Sequence, residues 1–185
     1  MNNEPHSCNQ GSVIWITGLS GAGKTTVASQ LVTLLRSTGS NVVFLDGDQL
    51  RNVFGLVEPS EVNHGRESRL SIAIQYSRLC QLISNQGLIV VIATISLFRE
   101  VHQWNRNNLD RYFEVYLKVP IAELRLRDPK KIYERFDAGQ MKNVAGLDFD
   151  VDEPTNADMT IDFNESLTAE QIALDVCAKV RYYIS

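Results

Sequence analysis

Cysteine is scarce in this chain: Cys8, Cys80 and Cys177 are the only three, odd in number and widely scattered. That excludes a disulfide framework, leaves no spacing that would hold zinc, and suits a reduced, cytoplasmic protein. Long apolar runs are missing too. The longest strongly apolar stretch, Leu88 to Ile95, falls far short of the roughly 20 residues that cross a bilayer, so no membrane partner is expected. The opening Met1-Asn2-Asn3-Glu4-Pro5 lacks the basic-then-apolar layout of a signal peptide. Positive charge is not in excess, since 18 Lys and Arg face 22 Asp and Glu for a net charge of −4. No general electrostatic case for nucleic acid follows. What is present is ordinary for a soluble globular chain, 44% hydrophobic and 22% charged. At 185 residues it can bury one sizeable core and is too short for two ordinary domains.

Residues 1–11 are polar and read as a flexible N-terminal tail, and 12–185 as one domain. Strand-like segments fall at Val13–Thr17, Val42–Leu45, Leu88–Ile92, Tyr112–Lys118 and Met159–Phe163. Helical patterns alternate with them. The first places Val27, Ala28, Leu31, Leu34 and Leu35 on one face and ends at Gly39, a C-terminal cap. Others run over Leu70–Ser84, Val101–Asn108 and Ile121–Leu126, the last with Pro120 near its first turn. A final helix opens at the capping box Thr168-Ala169-Glu170-Gln171 and reaches about Tyr183. This alternation predicts a doubly wound α/β domain with a mostly parallel five-stranded sheet, the P-loop NTPase and kinase architecture.

The strongest motif is Gly18-Leu19-Ser20-Gly21-Ala22-Gly23-Lys24-Thr25, which fits GxxxxGK[ST] between a strand and a helix. Gly18, Gly21 and Gly23 let backbone N–H groups turn around an anion, and the helix N-terminus adds a favourable dipole. Lys24 reaches β- and γ-phosphates, and the Thr25 hydroxyl is placed to bind Mg²⁺. A Gly-rich turn with a chance lysine would not need the flanking strand and helix. The chain is therefore expected to bind a nucleoside triphosphate.

A second constellation follows the second strand: Asp46-Gly47-Asp48, then Arg51. Ligands of open parallel sheets bind beyond the carboxyl ends of strands. One carboxylate would orient Mg²⁺ through its waters, the other would take a proton from an attacking hydroxyl, and Arg51 would hold an anionic acceptor. The competing reading is a turn that caps the next helix, with Asp48 as its N-cap. Arg125, Arg127, Lys130, Lys131 and Arg135 crowd around Asp128-Pro129. They read equally as a solvated basic face or as a lid that closes over phosphates.

Together these residues resemble the adenylylsulfate (APS) kinase family, P-loop kinases that phosphorylate the ribose 3′-hydroxyl of APS with MgATP. The resemblance runs through Gly18 to Thr26, Leu45-Asp46-Gly47-Asp48 with Arg51, and Phe113-Glu114-Val115-Tyr116 with Pro120. It continues in Arg127-Asp128-Pro129-Lys130, Tyr133, Gly146-Leu147-Asp148 and Glu153-Pro154. It implies ATP held by Gly18, Ser20, Gly21, Ala22, Gly23, Lys24, Thr25 and Thr26, with Arg127, Lys130 and Lys131 in a phosphate-facing lid. Thr25 would be the Mg²⁺ ligand, and Lys24, Asp46 and Asp48 the catalytic set, with Asp48 as base or hydroxyl-orienting group. Arg51, Arg69 and Arg106 would grip the acceptor's anionic groups. Dimers are common in that family, so a homodimer is compatible with the resemblance.

The acceptor half departs from it. Over His64 to Gln75 only Arg69 keeps the family residue, and the family's Ser-Pro-Tyr-Arg is Ser96-Leu97-Phe98-Arg99 here. Two phenylalanines that sandwich adenine in the family are replaced by His64 and Val144. A base–aromatic stack contributes about 1–3 kcal/mol, so APS binding should weaken. Ser96, Phe98, His64 and Val144 thus join Asp48 as acceptor-site candidates. Ala93-Thr94-Ile95-Ser96-Leu97-Phe98 with Trp104-Asn105-Arg106 resembles a branch of bacterial capsule-synthesis kinases that includes cytidine diphosphoramidate kinases. The expected activity is γ-phosphoryl transfer to a small nucleotide-linked acceptor such as APS. The alternative is the same chemistry on cytidine diphosphoramidate, for capsule polysaccharide modification. A nucleotide-dependent switch is the rival class, but the Asn-Lys-x-Asp motif of guanine-reading switches is missing.

Overall fold

Six consecutive buried residues, Ser12–Thr17, form β1 at the centre of the sheet. A strand covered on both faces shows no polar alternation, which is why Val13-Ile14-Trp15-Ile16 reads as one apolar run. The computed structural model describes residues 11–56 and 65–184. The expected tail, apart from Gly11, lies outside the described residues, and so does His64. β2 (Val42–Asp46), β3 (Ile89–Ala93), β4 (Tyr112–Lys118) and β5 (Met159–Asp162) complete one sheet in the order β2-β3-β1-β4-β5. Every pairing is parallel, so the sheet is fully parallel among the described residues.

The helices are α1 (Lys24–Ser37), α2 (Gly47–Val53), α3 (Arg66–Ser84), α4 (Arg99–Asn108), α5 (Ile121–Arg127), α6 (Ile132–Asp137) and α7 (Ala169–Ile184). Alternate residues of β1 feed opposite cores. Ile14 and Ile16 pack with Val27, Leu31, Ala173 and Val176 of α1 and α7, while Val13 and Trp15 pack with Tyr76, Cys80 and Val101 of α3 and α4. Truncating a fully buried residue such as Ile16 to Ala would cost about 2–5 kcal/mol.

Local signals end the helices where they should. Gly39, at φ 84°, donates its N–H to Arg36 O at 3.0 Å, and Ser40 donates to Leu35 O at 3.3 Å, closing a Schellman motif on α1. At α7, Gln171 N donates to Thr168 Oγ1 (3.2 Å) and Thr168 N donates to Gln171 Oε1 (2.9 Å), a reciprocal capping box. α3 and α4 begin earlier than the periodicity predicts, at Arg66 and Arg99. α2 is the helix that the capping alternative implied, and α6 was not expected, because six residues carry too little apolar period to read. Among the described residues no helix is long and apolar enough to cross a membrane.

Candidate active site

The carboxyl ends of β1, β2 and β3 meet at one edge of the sheet. The loop from β1 to α1 turns through Gly21 (φ 79°) and Gly23 (φ 92°), backbone angles that residues with a Cβ rarely adopt. Lys24 folds back inside that loop and donates from Nζ to Leu19 O at 2.7 Å. Its pKa falls to about 7, chiefly because the ammonium loses water, with Lys130 and Arg51 adding to the effect and Asp46 opposing it. A cation short of solvent, beside left-handed glycines and a helix N-terminus, suits a polyphosphate. Thr25 and Thr26 remain exposed at the start of α1.

Asp46 and Asp48 have different partners. Asp46, at the end of β2 and buried, accepts from the Thr25 hydroxyl at 2.7 Å. Its second oxygen accepts from Asp48 N (2.9 Å) and Gln49 N (3.3 Å), so Asp46 is the N-cap of α2. The competing reading of Asp48 as that cap is thereby corrected: the hydroxyl and both N–H groups go to Asp46. β3 lies between β2 and β1, yet Asp46 still meets the P-loop through Thr25. Asp48 is partly exposed and pairs with Arg51 on one oxygen and Lys130 on the other.

The basic segment is ordered around Asp128, which accepts from Ile132 N (2.8 Å) and Glu134 N (2.9 Å) and so caps α6. Of the three expected lid residues, Lys130 reaches Asp48. Arg127 donates to Glu123 at 2.9 Å and lies over the Phe163 ring, 4.9 Å from its centroid. Lys131 pairs with exposed Glu134, at 3.3 Å. Tyr133 is buried and its hydroxyl donates to Ser20 O at 3.0 Å, tying α6 to the P-loop.

Beside the P-loop opens a cavity of about 350 Å³. Its walls bring together Arg51, Arg69, Ser96, Phe98 and Val144, with Ser20 of the P-loop at its margin. Burial, and next the like charge of Arg51, lower the Arg69 guanidinium below its ordinary pKa. Two cations facing one hollow favour an anionic occupant. Ser96 is buried, holds φ 32°, and shares a 2.9 Å hydroxyl contact with Thr94. A non-glycine residue in that region marks backbone strain at the cavity wall.

Arg106 lies apart from the cavity walls. It pairs with Asp158 at 2.6 Å, approaches buried Glu114 at 3.6 Å and lies over the Tyr112 ring at 4.7 Å. Glu114 also meets His102 Nδ1 at 2.6 Å and accepts from Tyr112 OH at 3.0 Å. Buried in the sheet, this carboxylate needs those partners. They explain why a polar cluster sits on α4 and β4.

Tyr76 and Phe149 also line the cavity, and the sequence reading missed both. Tyr76 looks like a core position of a long helix. Phe149 carried the better signal, as a large ring between Asp148 and Asp150, directly after Gly146-Leu147-Asp148.

The chain matches the sequence model of the adenylylsulphate kinase family over residues 10–162. It is 34% identical over 161 residues to a cytidine diphosphoramidate kinase from Campylobacter jejuni, covering 87% of this chain and 88% of that one. It is 35% identical over 167 residues to an adenylyl-sulfate kinase from Klebsiella pneumoniae, covering 89% and 81% respectively. The fold resembles an APS kinase from Mycobacterium tuberculosis, solved with AMPPNP and APS, at TM-score 0.82 and 27% identity. That likeness covers 93% of this chain and 98% of the other.

Proposed function

Since the chain belongs to the adenylylsulfate kinase family and is a phosphotransferase, we propose that it moves the γ-phosphoryl of ATP to the ribose 3′-hydroxyl of a nucleotide-linked acceptor of the adenylylsulfate kind. One observation carries this reading. Asp48 stands between lid and acceptor cavity, paired with Lys130 on one side and with the cavity residue Arg51 on the other.

Phosphoryl transfer passes through a loose transition state, so positioning and charge neutralisation do most of the work. Gly18, Ser20, Gly21, Ala22, Gly23, Thr25 and Thr26 cradle the polyphosphate, and Lys24 neutralises its β/γ oxygens. Thr25, oriented by Asp46, would hold Mg²⁺, which neutralises phosphate charge when bound. Asp48 orients the acceptor hydroxyl and takes its proton as the new P–O bond forms and ADP leaves. Arg51 and Arg69 hold the acceptor's anionic groups. Lys130 is the lid cation that meets the reacting side, and Arg127 and Lys131 complete the basic segment.

A second reading keeps this chemistry and changes the acceptor to cytidine diphosphoramidate. Two observations favour it: the aliphatic Val144 in the cavity wall, and the Campylobacter jejuni relative. ADP release with MgATP, measured with APS and with cytidine diphosphoramidate, tests both. Acceptor-dependent release supports the kinase reading, and the acceptor with the higher kcat/KM names the substrate. Release that ignores both acceptors would contradict it.

A further inference from the structure

We propose that Phe149, with Arg69 stacked on its ring and Phe98 against its edge, is the platform that holds the base of the acceptor nucleotide. The turn over residues 143–149 then sets acceptor preference. This rests on the kinase reading above and names a specificity-determining residue for it.

The geometry is that of a prepared stack. Arg69 Cζ lies 4.7 Å from the Phe149 centroid, and the Phe98 ring meets Phe149 at 6.1 Å and 86°. All three side chains line the cavity. Unpaired bases are held by stacking on aromatic rings and on guanidinium planes, and this assembly offers both. Phe149 is only partly buried, so a large ring is spent at a cavity wall and not inside the core.

The turn that carries it is fixed in advance. Both Asp148 carboxylate oxygens are used, one accepting from Asn143 N (2.8 Å) and the other from Val144 N (2.6 Å). Gly146 N donates to Phe149 O at 2.9 Å, and Phe149 N donates to Val144 O at 3.3 Å. A pre-ordered turn lowers the entropic cost of gripping a ligand. The same turn abuts the phosphate site: a Cβ on Gly146 would sit 2.9 Å from Leu19 Cδ1. The turn and the P-loop thus touch through the Leu19 side chain.

The test compares Phe149→Leu, which keeps apolar bulk without a ring, with Phe149→Ala and Phe149→Trp. KM is read for ATP, for APS and for cytidine diphosphoramidate, alongside kcat and Tm. Loss of the stack predicts a rise of roughly 5- to 150-fold in the KM of the true acceptor for the Leu and Ala variants, an unchanged ATP KM, and recovery in Phe149→Trp. An unchanged acceptor KM in Phe149→Leu, or an equal rise in ATP KM, would overturn the proposal and leave Phe149 as a packing residue. If the wild type turns over neither acceptor, the kinase reading fails separately. Titration with AMP and CMP then decides: weaker binding of either nucleotide by Phe149→Leu supports the platform, and equal binding or none by the wild type refutes it.

Discussion

The loop between β1 and α1 and the turn over residues 143–149 meet at Leu19 and Gly146, yet they are built from different materials. The first is made of backbone: left-handed Gly21 and Gly23, a helix N-terminus, and one lysine held by a main-chain carbonyl. The second is made of side chains: Asp148 holding two N–H groups, and Phe149 with Arg69 stacked on it. A backbone site admits few replacements, because only glycine meets its angles freely. A side-chain site can be re-specified by exchanging one ring or one cation. On the proposed reading, the donor half is therefore constrained to keep one chemistry, while the acceptor half is free to change its ligand.

Removing the charged groups should break that comparison most severely. Lys24→Ala is expected to lower kcat/KM on the order of 10³-fold, as losing one transition-state charge partner does. Asp48→Asn should lower kcat by roughly 10²- to 10⁴-fold, as losing a general base does, with ATP KM near the wild-type value. Steady-state ADP release measures both. A parallel rise in ATP KM for Asp48→Asn would move that residue from the acceptor side to the donor side.

Gly146→Ala strikes the junction of the two regions. Its φ of 82° and the 2.9 Å approach to Leu19 predict a loss of about 1–3 kcal/mol, seen as a Tm lower by several degrees. A Tm equal to wild type would mean that the turn gives up its left-handed angle at no cost.

The smallest effect concerns protons. The Lys24 ammonium titrates near 7 in the free protein, and phosphate oxygens favour its charged form, so ATP binding raises that pKa. Between the two values binding takes up protons, and ATP affinity falls as pH rises above 7. Calorimetry at pH 8 in buffers of different ionisation enthalpy should show uptake of a fraction of a proton. Proton release would contradict a Lys24 that gains its proton on meeting the phosphates.

The same difference in materials decides what could be read from the chain. The P-loop was legible because its chemistry needs glycine, lysine and threonine at fixed spacing, and β1 because burial on both faces leaves an unbroken apolar run. Asp46 and Asp48 were legible as a pair, but their different partners were not. They depend on Thr25 reaching across β3 and on which residue caps α2, neither of which spacing fixes. Arg106 was offered to the acceptor, whereas the structure pairs it with Asp158 and brings it toward buried Glu114. Phe149 went unread because a ring on an irregular turn has no period, and only the folded turn carries it to Arg69.

The most direct measurement is ³¹P NMR of a reaction holding the wild-type chain, MgATP and the acceptor with the higher kcat/KM. The account predicts ADP together with a new phosphomonoester signal coupled to the ribose H3′. Inorganic phosphate as the sole second product would contradict it, because the site would then hydrolyse ATP instead of transferring its phosphoryl group to an acceptor.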